Sequence, residues 1–168
     1  MLYEITVPQS IKMLKNLEAC LLKADVFAKA KKIDMEVLLT DRLAPDQFPL
    51  IRQVQIATDT AKLCACRLTG KEPVKHEDQE KTLPELQTRI HQVIQFLSDL
   101  TEGDFKQAED RKISQPRWEG KYLTAKEFVL QHAIPNLYFH VTTAYAILRA
   151  NGVDVGKKDF LGEMPFKS

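Results

Sequence analysis

Four histidines (His76, His91, His132 and His140) and three cysteines (Cys20, Cys64 and Cys66) are the side chains of this sequence best suited to metal or nucleophilic chemistry. The most informative spacing lies near the C-terminal end. His132, Asn136 and His140 follow one another at four-residue steps, which stacks them along one face of a helix. Phe128, Val129, Leu137, Tyr138, Phe139 and Val141 surround that row, and a helix that is apolar on most sides is buried. His140 stands about 80° from the centre of the apolar stripe on a helical wheel, at the inner edge of a helical body. Pro135 removes one helical hydrogen bond beside the row, which predicts a kink able to open a pocket. From the residues alone His140 is either a satisfied boundary histidine or a ligand, because one imidazole does not make a ligand set.

A second polar row, Arg52, Gln55 and Asp59, lies on another helical segment. If that segment faces the first row, Asp59 can orient His140 or join it as a ligand. The competing reading makes Arg52, Asp59 and Lys62 solvated pairs on a helix surface. His76, within Lys75-His76-Glu77-Asp78, and His91 read as surface residues. Cys64 and Cys66 point about 200° apart on a helix and make a poor chelate. An odd number of cysteines without framework spacing predicts reduced thiols in a cytoplasmic protein. There is no phosphate-binding glycine loop, no Gly-x-Ser-x-Gly, no His-Glu-x-x-His and no Cys-x-x-Cys.

The elements that must carry these residues are helical. Apolar residues recur at three- and four-residue steps in four segments, predicting helices over about 6–30, 48–69, 83–102 and 125–151. The first carries Val7, Ile11, Leu14, Leu17 and Leu21 on one stripe, begins near Pro8, and ends in a lysine-rich run that suits the negative end of a helix dipole. The second carries Leu50, Val54, Ala57, Ala61, Cys64 and Leu68, and Gly70 stands where a closing glycine belongs. Thr82-x-x-Glu85 and Thr124-x-x-Glu127 read as capping boxes that open the third and fourth. The fourth stripe runs Leu130, Ile134, Leu137, Val141, Ala144 and Leu148. Residues 33–47 read as a connection with an extended or turn-like piece around Met35 to Leu39. A short β-hairpin is expected between the third and fourth helices, with Trp118 near its tip as an end cover or a surface anchor. The tail keeps Phe160, Leu161 and Phe166, which predicts that it lies back on the body or on a partner. The fold class is therefore an all-α four-helix bundle with a short hairpin, and residues 1–168 are expected to form a single domain.

Composition narrows the partners. The formal net charge is +1 over 168 residues, which supplies neither the basic face that nucleic acid needs nor a polybasic membrane patch. The expectation is no nucleic acid and no membrane. No basic segment followed by an apolar run opens the sequence, and no apolar run approaches the ~20 residues of a membrane span.

The run Leu130-Gln131-His132-Ala133-Ile134-Pro135-Asn136-Leu137-Tyr138-Phe139-His140-Val141-Thr142-Thr143-Ala144-Tyr145, with Phe48-Pro49-Leu50-Ile51-Arg52-Gln53-Val54-Gln55-Ile56-Ala57, resembles the hallmark of a family of uncharacterised proteins within the DinB/YfiT-like superfamily. The resemblance extends from the Tyr3 region to Leu161-Gly162. It implies a four-helix bundle, often homodimeric. Better-studied relatives hold a divalent metal, commonly nickel or zinc, through one histidine of the second helix and two of the fourth. Some act as thiol transferases, others as metal-dependent hydrolases or isomerases. Those three positions fall here on Gln55, Asn136 and His140, so one histidine and two amides stand where three imidazoles would be. Zn²⁺ and Ni²⁺ favour imidazole and thiolate over amide oxygen.

Two functional expectations follow. The first is a degenerate site in which Gln55, Asp59, Asn136 and His140 bind a small molecule or partner with no tightly held metal. The alternative is a divergent divalent-metal-dependent enzyme of the thiol transferase or hydrolase type, with His140 as main ligand of a weakly bound Zn²⁺ or Ni²⁺.

Overall fold

The computed structural model describes residues 1–167. Its long helices are α1 (Leu2–Lys31), α3 (Leu50–Thr69), α4 (Leu83–Ser98) and a composite fourth rod, formed by α5 (Ala125–Phe128), one π turn (Val129–Ala133) and α6 (Ile134–Ala150). A six-residue helix, α2 (Met35–Thr40), joins α1 to α3, and α7 (Lys157–Leu161) lies in the tail. β1 (Lys112–Ser114) and β2 (Tyr122–Thr124) form an antiparallel hairpin with Ile113 opposite Leu123. The molecule is a four-helix bundle with a two-stranded appendage. Among the described residues no helix is long and apolar enough to cross a membrane.

The stripes meet in one core. Leu14, Leu17, Leu21 and Ala24 of α1 are buried with Leu50, Val54, Ala57 and Leu68 of α3, Leu86, Ile90 and Leu97 of α4, and Val141, Ala144 and Leu148 of α6. Each large side chain so buried contributes about 1.5–3 kcal/mol. Small residues at Ala57, Ala61 and Ala65 let α3 lie closely along its neighbours, with α6 its principal one.

Several boundaries differ from the sequence expectation, for physical reasons. α1 starts at Leu2 and carries Pro8 inside it. Leu2 is buried and the Tyr3 ring meets Phe105 edge-on at 5.5 Å, so packing extends the helix past the proline. α2 is helical, not extended: Met35, Leu38 and Leu39 are its buried face, a helical spacing. α4 stops at Ser98, and residues Glu102–Phe105 form a separate 3₁₀ turn capped by Thr101.

The largest departure is in the fourth rod. Pro135 has no N–H to give, so the α ladder is already interrupted. The chain widens ahead of it, and the Ile134 N–H bonds the Val129 carbonyl five residues back. That extra residue rotates the upstream face. Val129 and Ala133 are buried there, whereas Leu130 is exposed and Ile134 only half-buried. The expected stripe holds from Leu137 onward and slips by one residue before it.

Gly70 closes α3 in the left-handed region at φ 80°, where a side chain would also collide with Arg111. In the tail, Phe160 packs on Tyr145 and its carbonyl accepts a hydrogen bond from Asn16 at 2.9 Å. Phe166 stays exposed.

Candidate functional site

Sequence reasoning about surface pairs on the second long helix fails first. Gln55 and Lys62 are buried, and so is Arg89 of α4, with 1% of its surface exposed. Arg89 sits three residues after Leu86 on the α4 stripe, so its inward position was readable from spacing. A guanidinium carries five N–H donors, and all five directions are used here. Its Nε donates to Thr58 Oγ1 at 2.8 Å and Nη1 donates to Asp78 at 2.6 Å and Glu80 at 3.0 Å. Nη2 donates to the Gln55 carbonyl at 3.2 Å and pairs with Asp59 at 3.0 Å.

Lys62 is saturated in the same way. Its ammonium meets Asp59 at 2.9 Å, the Val74 carbonyl at 2.8 Å and His76 Nδ1 at 2.8 Å. Lysine can only donate, so His76 Nδ1 accepts and Nε2–H donates to Gln92 Oε1 at 3.1 Å. Burial and the neighbouring Lys62 charge lower the His76 pKa, consistent with that neutral tautomer. Burial alone would raise the Asp78 and Glu80 carboxyls. Hydrogen bonds from Arg52 and Arg89 outweigh it at Asp78, and a hydrogen bond from its own backbone together with the Arg89 side chain outweighs it at Glu80, so both lie below the usual carboxylate range. Three cations (Arg52, Lys62 and Arg89) balance three carboxylates (Asp59, Asp78 and Glu80). The network pins the irregular segment 70–82 against α3 and α4.

The four residues singled out from sequence are not one cluster. Gln55 Nε2 donates to Glu80 at 2.9 Å and its Oε1 accepts from Arg52 at 3.1 Å. Asp59 serves Lys62 and Arg89 and makes no bond to His140. Asn136 donates to Thr60 Oγ1 at 2.7 Å. His140, 7% exposed, pairs through Nδ1 with Gln53 Oε1 at 2.7 Å. The Gln53 amide donates to the Phe48 carbonyl at 2.8 Å, so its oxygen faces the imidazole and His140 Nδ1 carries the proton. Burial, then the Arg52 charge, push the His140 pKa down to about 4.

This donor set does not fit a transition metal. His140 offers one neutral nitrogen beside a guanidinium whose charge opposes a cation. The Gln55 amide is engaged at both ends, and Asn136 is turned to Thr60. Among the described residues no three His, Cys, Asp or Glu side chains stand together as a metal site. The cysteines do not supply a nucleophile either. All three are buried, which pushes Cys64 up to about 12 and Cys20 and Cys66 to about 11.

Two of the four residues, Asp59 and Asn136, do line a common cleft of about 150 Å³ between α3 and the π turn. Ile56, Thr60, Leu63 and Arg67 form its α3 wall at helical steps, and Phe128, His132 and Ala133 form the facing wall. Gln115 and Arg117 close one end from the hairpin connection. The π turn shapes this wall: its extra residue puts Ala133 on the buried stripe and leaves His132 half-buried beside it. His132 stacks on Phe128 with ring centroids 5.4 Å apart, and Trp118 meets it edge-on at 5.5 Å. Arg117 Nη2 lies 2.8 Å from His132 Nε2. Arginine only donates, so Nε2 accepts and Nδ1 holds the hydrogen. That Nδ1–H and the Gln115 amide nitrogen are buried without a hydrogen-bond partner. Burial, then Arg117 and Arg67, lower the His132 pKa and keep the ring neutral. Sequence reasoning placed His132 in one row with Asn136 and His140, and the π turn takes it out of that row. Nothing in the local sequence pairs it with Arg117, fifteen residues away across the hairpin.

Comparison with known proteins places the chain. Residues 2–161 match the family model described as domain of unknown function (DUF1993). A crystal structure described as a DinB family member protein from Shewanella denitrificans is 61% identical, with a TM-score of 0.97 over 100% of this chain and 96% of that one. No curated protein matches. The chain belongs to the DUF1993 family of domains of unknown function, and its fold is that of the DinB family.

Proposed function

We propose that this protein binds a small molecule in the cleft between α3 and the π turn, without a tightly held transition metal. The buried, unpartnered donors of His132 and Gln115 carry this reading: of the three such side-chain atoms among the described residues, with Arg111 Nε the third, two belong to residues that line this one cleft. An unmet buried donor costs about 1–3 kcal/mol, and a ligand acceptor would recover part of it. The family's ligand positions support the metal-free half of the proposal, since Gln55, Asn136 and His140 each bond a different protein partner.

Two measurements test it. A fragment library screened by ligand-observed NMR should give hits that disappear in Thr60→Phe, which fills the cleft. Hits indifferent to that substitution, or none, would reject the site. Metal analysis of protein purified without a histidine tag should give far less than one Zn or Ni per chain, with no thermal shift on adding either ion. A stoichiometric ion that stabilises the fold would restore the metal-enzyme reading. A homodimer is part of the proposal from the family resemblance. Sedimentation should then show about twice the 19.2 kDa chain mass, and a single chain at all concentrations would reject it.

A further inference from the structure

We propose that the ligand of this cleft is a small carboxylate with a short apolar body, its anionic head held by Arg67, Arg117 and His132. This rests on the cleft being a binding site and adds the class of molecule. The charge distribution carries it. Arg67 lies over the Phe128 ring at 5.7 Å, and its charge and that of Arg117 both act on His132. Neither guanidinium has a carboxylate partner among the described residues, whereas Arg52, Lys62 and Arg89 are all paired. Two unpaired guanidiniums, a neutral imidazole that can donate only from Nδ1, and an unpartnered Gln115 amide are complementary to an oxyanion.

The rest of the cleft limits what the anion is attached to. From Arg67 the α3 wall runs back through Leu63 and Ile56, and Phe128 and Ala133 face it, which suits an apolar body. Between Leu63 and Ile56 on that helix, about 12 Å along the axis from Arg67, stands the Asp59 carboxylate, whose Oδ1 takes both Arg89 and Lys62. A multiply charged phosphate filling the cleft would meet that carboxylate, whereas a monoanion headed at Arg117 lies away from it. The volume of about 150 Å³ suits a body of only a few carbons.

Trp118 is the single tryptophan of the chain and touches the His132 ring, so its fluorescence reports on this end of the cleft. Titration with sodium butyrate at constant ionic strength should give a saturable change. Butyramide, the same size without the charge, should bind at least tenfold more weakly, and inorganic phosphate should not compete. Arg117→Gln, an exposed position, should weaken butyrate at least tenfold and leave melting temperature unchanged. Equal binding of butyrate and butyramide would overturn the carboxylate assignment while leaving the cleft a binding site. Phosphate binding tighter than butyrate would replace the carboxylate with a phosphoryl ligand. Butyrate binding unaffected by both Arg117→Gln and Thr60→Phe would place the anion elsewhere and overturn the inference. No response to butyrate, alongside fragment hits lost in Thr60→Phe, would reject the inference alone. The loss of those hits as well would reject the site.

Discussion

Replacing Arg89 by Met removes the cation at the centre of the buried network and keeps most of its volume. Three carboxylates lose a charge-assisted hydrogen bond, at about 1.5–3 kcal/mol each, for a gross loss of about 5–9 kcal/mol. Part is returned, because a guanidinium only 1% exposed no longer has to be desolvated. Breaking a buried ion pair from one side leaves a net cost of about 3–5 kcal/mol. For a chain of this length about 2–4 °C is lost per kcal/mol, so the melting temperature should fall by about 6–20 °C at pH 7. Arg89→Lys should fall between, since three donors cannot serve five directions.

The pH dependence supplies the sharper check. In the wild type Asp78 and Glu80 have folded pKa values below their ordinary ones. The stability they contribute is present above the ordinary carboxylate range and is lost as pH falls through their lowered folded values. In Arg89→Met the cation is gone and burial is opposed by fewer partners, so those carboxyls rise relative to the wild type and acid costs the variant less. The gap between the two proteins, read from urea unfolding midpoints, should therefore narrow from pH 7 to pH 4. Any common titration elsewhere cancels in that difference. A gap under 1 kcal/mol at pH 7, or one that widens with acid, would refute the account of this network.

His140 predicts a separate pH effect. Its folded pKa of about 4 lies below the ordinary value, so the unfolded chain binds more protons between pH 4 and about 6.5, and stability falls as pH drops through that window by up to about 3 kcal/mol; His140→Met should flatten that part of the urea-midpoint profile, and parallel profiles would contradict it. The three thiols should react with Ellman's reagent at pH 8 only on the timescale of unfolding, and rapid stoichiometric reaction would show that the burial of Cys20, Cys64 and Cys66 is wrong. Gly70→Ala should cost about 1–2 kcal/mol at φ 80°, with a further penalty if Arg111 loses its bond to the Thr69 carbonyl, as thermal melting would read. Deleting Gln131, which is exposed in the π turn, should restore a regular helix with little loss of melting temperature and abolish the butyrate response of Trp118; a retained response would separate the cleft from the turn.

Local signals in this chain were readable because they depend on neighbours in sequence. Thr82 with Glu85 and Thr124 with Glu127 form the capping boxes their spacing promised, and Gly70 takes the left-handed cap. The stripes of α1, α3 and α4 face one core for the same reason. The helical spacing of Met35, Leu38 and Leu39 was also legible, but a six-residue helix has little propensity of its own and is held by packing. The partners of Arg89 were not legible. They come from α3 and from the segment 70–82, which has no regular structure to predict its path. Pro135 announced a lost hydrogen bond, yet whether the chain kinks or widens depends on what the upstream face meets. Here burying Val129 and Ala133 against the bundle selects the wider turn.

That choice decides where binding chemistry can reside. A metal site needs several ligands aimed at one point, with lone pairs left unspent. On α3 and α6 the polar side chains are instead consumed in pairs, Gln53 with His140, Thr60 with Asn136, and Gln55 with Glu80, each crossing between elements. Such pairs tie the bundle together and leave nothing converging. The π turn escapes this pairing because its extra residue rotates His132 off the register shared by Asn136 and His140. The ring then meets Phe128, Trp118 and Arg117, and its remaining N–H has no counterpart in the protein. Two of the three unmet donors and the acid-free guanidiniums of Arg67 and Arg117 therefore occur at the same place, and one backbone irregularity accounts for the cleft that unites them.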